Sequence, residues 1–395
     1  MMFLLPFEVL GLFAIHCHEG GEPCVPAKAP DQELMNFFET LQCPHKRMDD
    51  ACKQLIEDSE DKVNNAVIAL IEDGGDVDMK DKTGNSLLYN AALFGYAKAV
   101  EAIAEHGSSL YDYAHPYTPL MAAAVQGYSD IVKILLKHGG GVNIRNQIQK
   151  EAAIHLAVKK NHLGITEDLI EAGADINLGD WEKYTPLHLT AKYNFPAMAQ
   201  MLIEKGANLN LQSKDRGYLG YGHYTPLAVA CMSGHNEIAK ILLDAGADPN
   251  IGSVDGTMPL HCAAKKGNSE LARALIIRGA KVNAQITTSK KTALVEAASK
   301  SHREVAMILL DAGADPNIGS LEGDLPLHYA AINGKTEFVR ALISSGADVN
   351  AQTLWTKRTA LMEAATYGRK DVINLLLENG ADASLKDIYG YTARF

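Results

Sequence analysis

Apolar positions along this chain gather into pairs of short helical stripes, set apart by polar turns that carry glycine. In one such pair the second stripe is Ile238, Ile241 and Leu242, which share a face at helical spacing. The first stripe of a pair opens on a short block. Thr185-Pro186-Leu187-His188 returns as Met258-Pro259-Leu260-His261 and as Leu325-Pro326-Leu327-His328. Looser copies begin at Ser86, Thr118, Ala152, Thr225, Thr292 and Thr359, so the steps along the chain are 32, 34, 33, 40, 33, 34, 33 and 34 residues. Thr392-Ala393 opens a further unit.

Each unit follows one physical grammar. Proline suits a helix's first turn, where no N–H bond is lost, and the threonine before it can cap that turn. Alanines such as Ala263, Ala264, Ala330 and Ala331 allow close packing, and Gly267 or Gly334 breaks the first helix. Gly246, Gly313 and Gly380 end the second helix. A turn such as Ala347-Asp348-Val349-Asn350 leads onward. Such a helix-turn-helix cannot bury its apolar face alone, so the units must stack into a solenoid.

Two departures and one duplication stand out. Glu57, Asp58 and Ser59 stand where a first helix needs small apolar residues, which predicts that 65–72 is the second helix of an incomplete capping unit. The step of 40 places about seven extra residues, around 214–220, in the hairpin before Thr225. Residues 241–298 align with 308–365 at a constant offset of 67, and 241–253 is identical to 308–320. A pair of units was copied whole.

These blocks and their period resemble the ankyrin-repeat family over about residues 60–395. The resemblance implies an all-α solenoid of about nine repeats, each two antiparallel helices and a projecting β-hairpin loop, with hairpins and first helices lining a concave face. Residues 1–59 stand before it as a small helical segment. Within that segment Leu5, Pro6, Val9, Leu10 and Phe13, with Leu12 and Ile15, resemble the opening helix of an F-box. That module docks on the Skp-type adaptor of cullin–RING ubiquitin ligases. A plain helix covering the end of the solenoid, or a targeting segment, are the alternative readings. An F-box-like start beside an ankyrin array also resembles effectors of intracellular bacteria and some viral proteins, whose place is the host cytoplasm.

Composition narrows the function. The chain has 395 residues and a formal charge of −11, which counts against a nucleic-acid surface built on clustered Lys and Arg. No apolar run reaches a membrane span, and the start lacks the basic flank and cleavage site of a secretory signal. Four of the six cysteines, Cys17, Cys24, Cys43 and Cys52, lie in the first 52 residues. In a long chain with an aliphatic core they read as free thiols, and the chain as cytoplasmic.

Candidate chemistry is sparse. His155, His188, His261 and His328 recur with the repeat, and translated positions cannot converge on one metal. The resemblance makes them structural donors to loop backbone. The N-terminal Cys and His residues lack the close pairs of zinc modules. Residues 217–222 lack the Lys-Ser/Thr of a phosphate loop. No nucleophile–base set stands outside the repeat pattern. The expectation is therefore no enzyme, no cofactor and no metal.

Binding specificity in the resembled family lies at positions −4, −3, −1, +7 and +8 from the Thr-equivalent. Trp181, Tyr221 and Trp355 fall at −4, and Tyr117, Tyr184 and Tyr224 at −1. Phe94, Tyr193, Met232, Ile332 and Tyr367 fall at +7 or +8. Aromatic anchors of this kind are characteristic of protein interfaces. Lys159, Lys160, Lys265 and Lys266 add a basic rim, which suits an acidic or mixed-charge protein partner. The expected function is a non-catalytic interaction scaffold centred on units 4 and 5. Its rival is a substrate receptor of a ubiquitin ligase.

Overall fold

The computed structural model describes Met35 and residues 50–111, 116–214 and 222–394. Helix α1, Asp50–Glu72, leads into nine helix pairs. Units 1 to 3 are α2 (Leu87–Phe94) with α3 (Ala97–Glu105), α4 (Pro119–Gln126) with α5 (Ser129–Lys137), and α6 (Ala153–Lys159) with α7 (Leu163–Glu171). Units 4 to 6 are α8 (Pro186–Tyr193) with α9 (Pro196–Glu204), α10 (Pro226–Ser233) with α11 (Asn236–Asp244), and α12 (Pro259–Lys266) with α13 (Ser269–Ile277). Units 7 to 9 are α14 (Ala293–Ser299) with α15 (Arg303–Asp311), α16 (Pro326–Ile332) with α17 (Thr336–Ser344), and α18 (Ala360–Thr366) with α19 (Lys370–Glu378).

First helices pack on neighbouring first helices and second on second, and one apolar core runs from Met35 and Val63 to Ala381. Met35 is helical and 2% exposed, so residue 35 of the N-terminal segment is part of that core. This is an ankyrin-type all-α solenoid. The F-box-like residues Leu5, Pro6, Val9, Leu10 and Phe13 lie outside the described residues, as do 215–221 with Tyr221.

The first helices are capped in two ways. Ser86 Oγ accepts from the Tyr89 N–H, and the hydroxyls of Thr118, Thr225, Thr292 and Thr359 do the same for Met121, Ala228, Val295 and Met362, all at 3.1–3.2 Å. In the other units a histidine at the third helical position reaches back. Nδ1 of His155, His188, His261 and His328 accepts the N–H of Ala152, Thr185, Met258 and Leu325 at 3.0–3.2 Å. That frees Nε2–H to donate to a carbonyl of the following hairpin: Leu178, Tyr224 and Ala284 at 2.9 Å, and Ala351 at 3.2 Å. Each ring therefore ties its own helix start to the next unit.

A second ladder joins the units at the turn after the second helix. The Asn143, Asn250, Asn283, Asn317 and Asn350 carbonyls accept the N–H of Asp175, Lys281, Asp315, Asp348 and Asp382 at 2.7–2.8 Å. Their amides donate to Gly173, Gly279, Gly313, Gly346 and Gly380 at 2.8–3.1 Å. The glycines at these turns are left-handed, as at Gly246 with φ 97°.

Residues 65–72 are helical and belong to α1, which packs on the second helix α3 of unit 1 as a capping element would. That helix starts earlier than 65, at Asp50, because no Gly or Pro interrupts 50–72. One expectation is corrected: the hairpins are not strands. Among the described residues the only β pairing is two isolated bridges, Lys80 with Ser86 and Gln352 with Thr359. The hairpin tips spend their N–H groups on the neighbouring unit instead: Trp181 on Gln149 at 2.7 Å, Thr287 on Asp255 at 2.7 Å, Leu321 on Ser289 at 2.8 Å.

Candidate protein-binding face

Hairpin tips and the C-terminal ends of the first helices form one face, and both are positioned by the ladders just described. Trp181 is 60% exposed at the tip before α8, with Lys214 Nζ 5.1 Å above its ring. Tyr193, exposed at the end of α8, stacks on Phe195 at 6.1 Å. Lys192 Nζ lies 5.4 Å from the Tyr184 ring and 5.6 Å from the Tyr193 ring. Tyr184 itself is half-buried and meets His188 edge-on at 5.3 Å. A groove of about 470 Å³ runs between these groups, lined by Ile148, Lys159, Trp181, Tyr184, Lys192 and Tyr193 among others.

Tyr224 and Met232 do not share that groove. Both are half-buried and line a second one of about 590 Å³ that reaches across units 5 to 7. Trp355 and Tyr367 are exposed together in unit 9, well along the array. Phe94, at the same position of unit 1 as Tyr193 of unit 4, is buried instead and lies 6.4 Å from the Tyr96 ring.

Position −4 holds more than the tryptophans. Ile148, Val254, Leu321 and Ile388 occupy the same column and are exposed beside Trp181 and Trp355, so an apolar line follows the tips. Counting that column through every unit would have found them. Glu296 and Lys300, on the wall of the second groove, were also missed, because neither is aromatic nor in a consensus block.

The buried histidines are not available for proton transfer. Burial pulls the pKa of His155 and His188 down to about 4 against the pull of their carbonyl partners, and both ring nitrogens of each are engaged. His261 and His328 are lowered for the same reason. Cys231 and Cys262 are free thiols, and burial pushes Cys262 up to about 11, so it is no nucleophile near neutrality. Among the described residues no His, Cys, Asp or Glu set could hold a metal, and no helix is long and apolar enough to cross a membrane.

The family profile for ankyrin repeats in sets of three copies matches residues 47–148, 120–213, 154–253, 227–320 and 317–387. The chain belongs to the ankyrin-repeat family. Among curated relatives, it is 32% identical over 134 residues to ankyrin repeat protein FPV014 of fowlpox virus, 34% of this chain and 30% of that one. It is 26% identical over 287 residues to E3 ubiquitin-protein ligase KEG of Arabidopsis thaliana, 70% of this chain and 18% of that one. Human ankyrin repeat and SOCS box protein 16 is 34% identical over 137 residues, 35% of this chain and 30% of that one. The matches thus span under a third of each of these relatives. The solved ankyrin repeat domain of Bcl-3 is 28% identical, with a TM-score of 0.46, over 54% of this chain and 95% of that one. An ankyrin array is typically an interaction module.

Proposed function

We propose that this ankyrin array is a non-catalytic scaffold in the cytoplasm that holds a partner protein on its concave, hairpin-bearing face. The observation that carries this reading is the exposed apolar line at the tips, with Trp181 and Tyr193 flanking one open groove. Large exposed aromatics are costly in water, and they are the commonest anchors of interfaces. The lysines among them favour a partner of acidic or mixed charge. Replacing Trp181 and Tyr193 together by Ala should cost about 2 kcal/mol of partner affinity, as hot-spot truncations do, with melting unchanged. Quantitative capture from cytosol by the full chain and by the double variant reads the loss. Equal capture would remove the reading.

A second reading has one observation behind it. Relatives of this array carry SOCS box and E3 ligase names, and residues 5–13 resemble an F-box helix. On that reading the array selects a substrate while the N-terminus binds a Skp-type adaptor, in a host cytoplasm if the chain is an effector. Purified adaptor should then be retained by the full chain and lost with Leu5→Ala/Pro6→Ala.

A further inference from the structure

The groove across units 5 to 7 differs from the rest of the face in one respect. Glu296 lies on its wall only 8% exposed, and its carboxylate makes no hydrogen bond or ion pair among the described residues. Its oxygens are not sealed from solvent, so the carboxylate opens to the groove. A cation brought there meets an unpaired negative charge in a recess that screens it less than open water. The copied pair of units carries the same residue as Glu363, where Arg358 Nε lies 2.7 Å from Oε1. That contact is an ion pair rather than an aligned hydrogen bond, since Arg358 Nε has no hydrogen-bond partner. The position of Arg358 is filled by Lys291 in the first copy, and Lys291 forms no ion pair with Glu296. One copy satisfies its carboxylate from within. The other leaves it facing the groove.

The same offset explains why there is a groove. Cys262 stands where the second copy has Tyr329, a half-buried ring whose hydroxyl donates to Asp324 at 3.3 Å. Lys265 and Lys300 stand where it has Ile332 and Tyr367. Lys265, Lys266 and Lys300 are exposed on the groove's rim, and none has a carboxylate within ion-pair distance. Two lysines of the neighbouring groove are engaged by contrast: Lys159 with Glu151, and Lys192 over two tyrosine rings. Met232, Ile286 and Cys262 complete an apolar floor.

We propose that this groove takes an extended peptide segment of a partner protein, placing an arginine or lysine side chain against Glu296 and acidic side chains on Lys265, Lys266 and Lys300. The proposal rests on the scaffold reading and gives it a chemistry. A carboxylate within the site opposes phosphates, so a peptide fits better than a nucleic acid.

Fluorescein-labelled dodecapeptide pools with a fixed central Arg, Lys, Ala or Glu, and acidic or neutral flanks, test it by anisotropy on the full chain. The Arg-centred acidic pool should bind at least about tenfold tighter than the Ala-centred one, a step of about 1.4 kcal/mol. Glu296→Gln should erase the preference for a central cation, and Lys265→Gln/Lys266→Gln the preference for acidic flanks and most of the salt dependence. Lys291→Arg imports the other copy's internal cation, so it should weaken the Arg-centred pool about tenfold even if Glu296→Gln fails to fold. Equal binding of Arg- and Ala-centred pools, an unchanged preference in Glu296→Gln, or tighter binding of oligouridylate than of any pool would overturn it. If every pool fails while Trp181→Ala/Tyr193→Ala still abolishes partner capture, the groove's chemistry falls and the scaffold stands. If capture also survives that double variant, the scaffold reading falls with it.

Discussion

Residues 241–298 and 308–365 began as one sequence and now present two different surfaces on one backbone. Their buried positions barely differ: Leu242 and Leu309, Ala263 and Ala330, and Leu294 and Leu361 are all fully buried. Their helix caps and asparagine bonds are the same. The exposed columns have diverged instead, from Cys262, Lys265, Lys266, Thr288 and Lys300 to Tyr329, Ile332, Asn333, Trp355 and Tyr367. Nearest-neighbour stacking fixes what a unit must bury and leaves the hairpin tips and first-helix ends free. Position in the repeat, more than residue type, therefore says which side chains are available to a partner.

The largest effects should be equal in the two copies. Leu242→Ala and Leu309→Ala each remove a side chain from the same packed layer and should cost about 2–5 kcal/mol, within about 1 kcal/mol of one another, in urea unfolding. Unequal costs would show that the copies differ in their cores. The next effect should be unequal. Arg358→Ala strips a half-buried carboxylate of its cation and should cost about 1–3 kcal/mol, whereas Lys291→Ala should stay within about 0.5 kcal/mol. Equal losses would mean that Lys291 already serves Glu296.

A further effect follows pH and is shared by units in and outside the two copies. His155 and His188 have folded pKa values near 4, below the unfolded value of about 6.5, because burial disfavours the charged ring. Their contribution is complete above about pH 6.5, and falls as pH drops toward 4, since the unfolded chain binds the proton first. The loss is about 1.4 kcal/mol per group for each pH unit in that window. His261 and His328 move the same way, so melting should fall from pH 7 to pH 5 for the whole array. A chain with His155→Gln and His188→Gln should show a shallower fall.

The repeat made most of this fold legible. Thr-Pro-Leu-His placed nine first helices within a residue of where they form, and the returning glycines placed the second helices. The histidine ladder followed from the same spacing. What failed was local or three-dimensional. The capping helix read at 65–72 runs back to Asp50, because 50–72 contains no helix breaker and the repeat register does not set where that helix starts. Tyr184 and Tyr224 hold exposed-column positions but lean on the core, because their hairpins are pinned: the Tyr184 N–H donates to Asp180, and the Tyr224 N–H donates to Ser213 while its carbonyl accepts from His188. Phe94 is buried in unit 1 though its column is exposed in unit 4. The open Glu296 was invisible, since whether a carboxylate is paired depends on the reach of residue 291 or 358 and on no motif.

The central claim is that the hairpin and first-helix columns face the partner while the second helices carry only the fold. Hydroxyl-radical footprinting of the full chain, alone and with a captured partner, measures it directly. Free chain should be labelled at Trp181, Tyr193, Met232 and Trp355 and on the second-helix residues Ile277 and Leu377, all of them partly or largely exposed. Added partner should protect Trp181, Tyr193 and Met232 and leave Ile277 and Leu377 unchanged. Protection of Ile277 and Leu377, with Trp181 still fully labelled, would contradict the account.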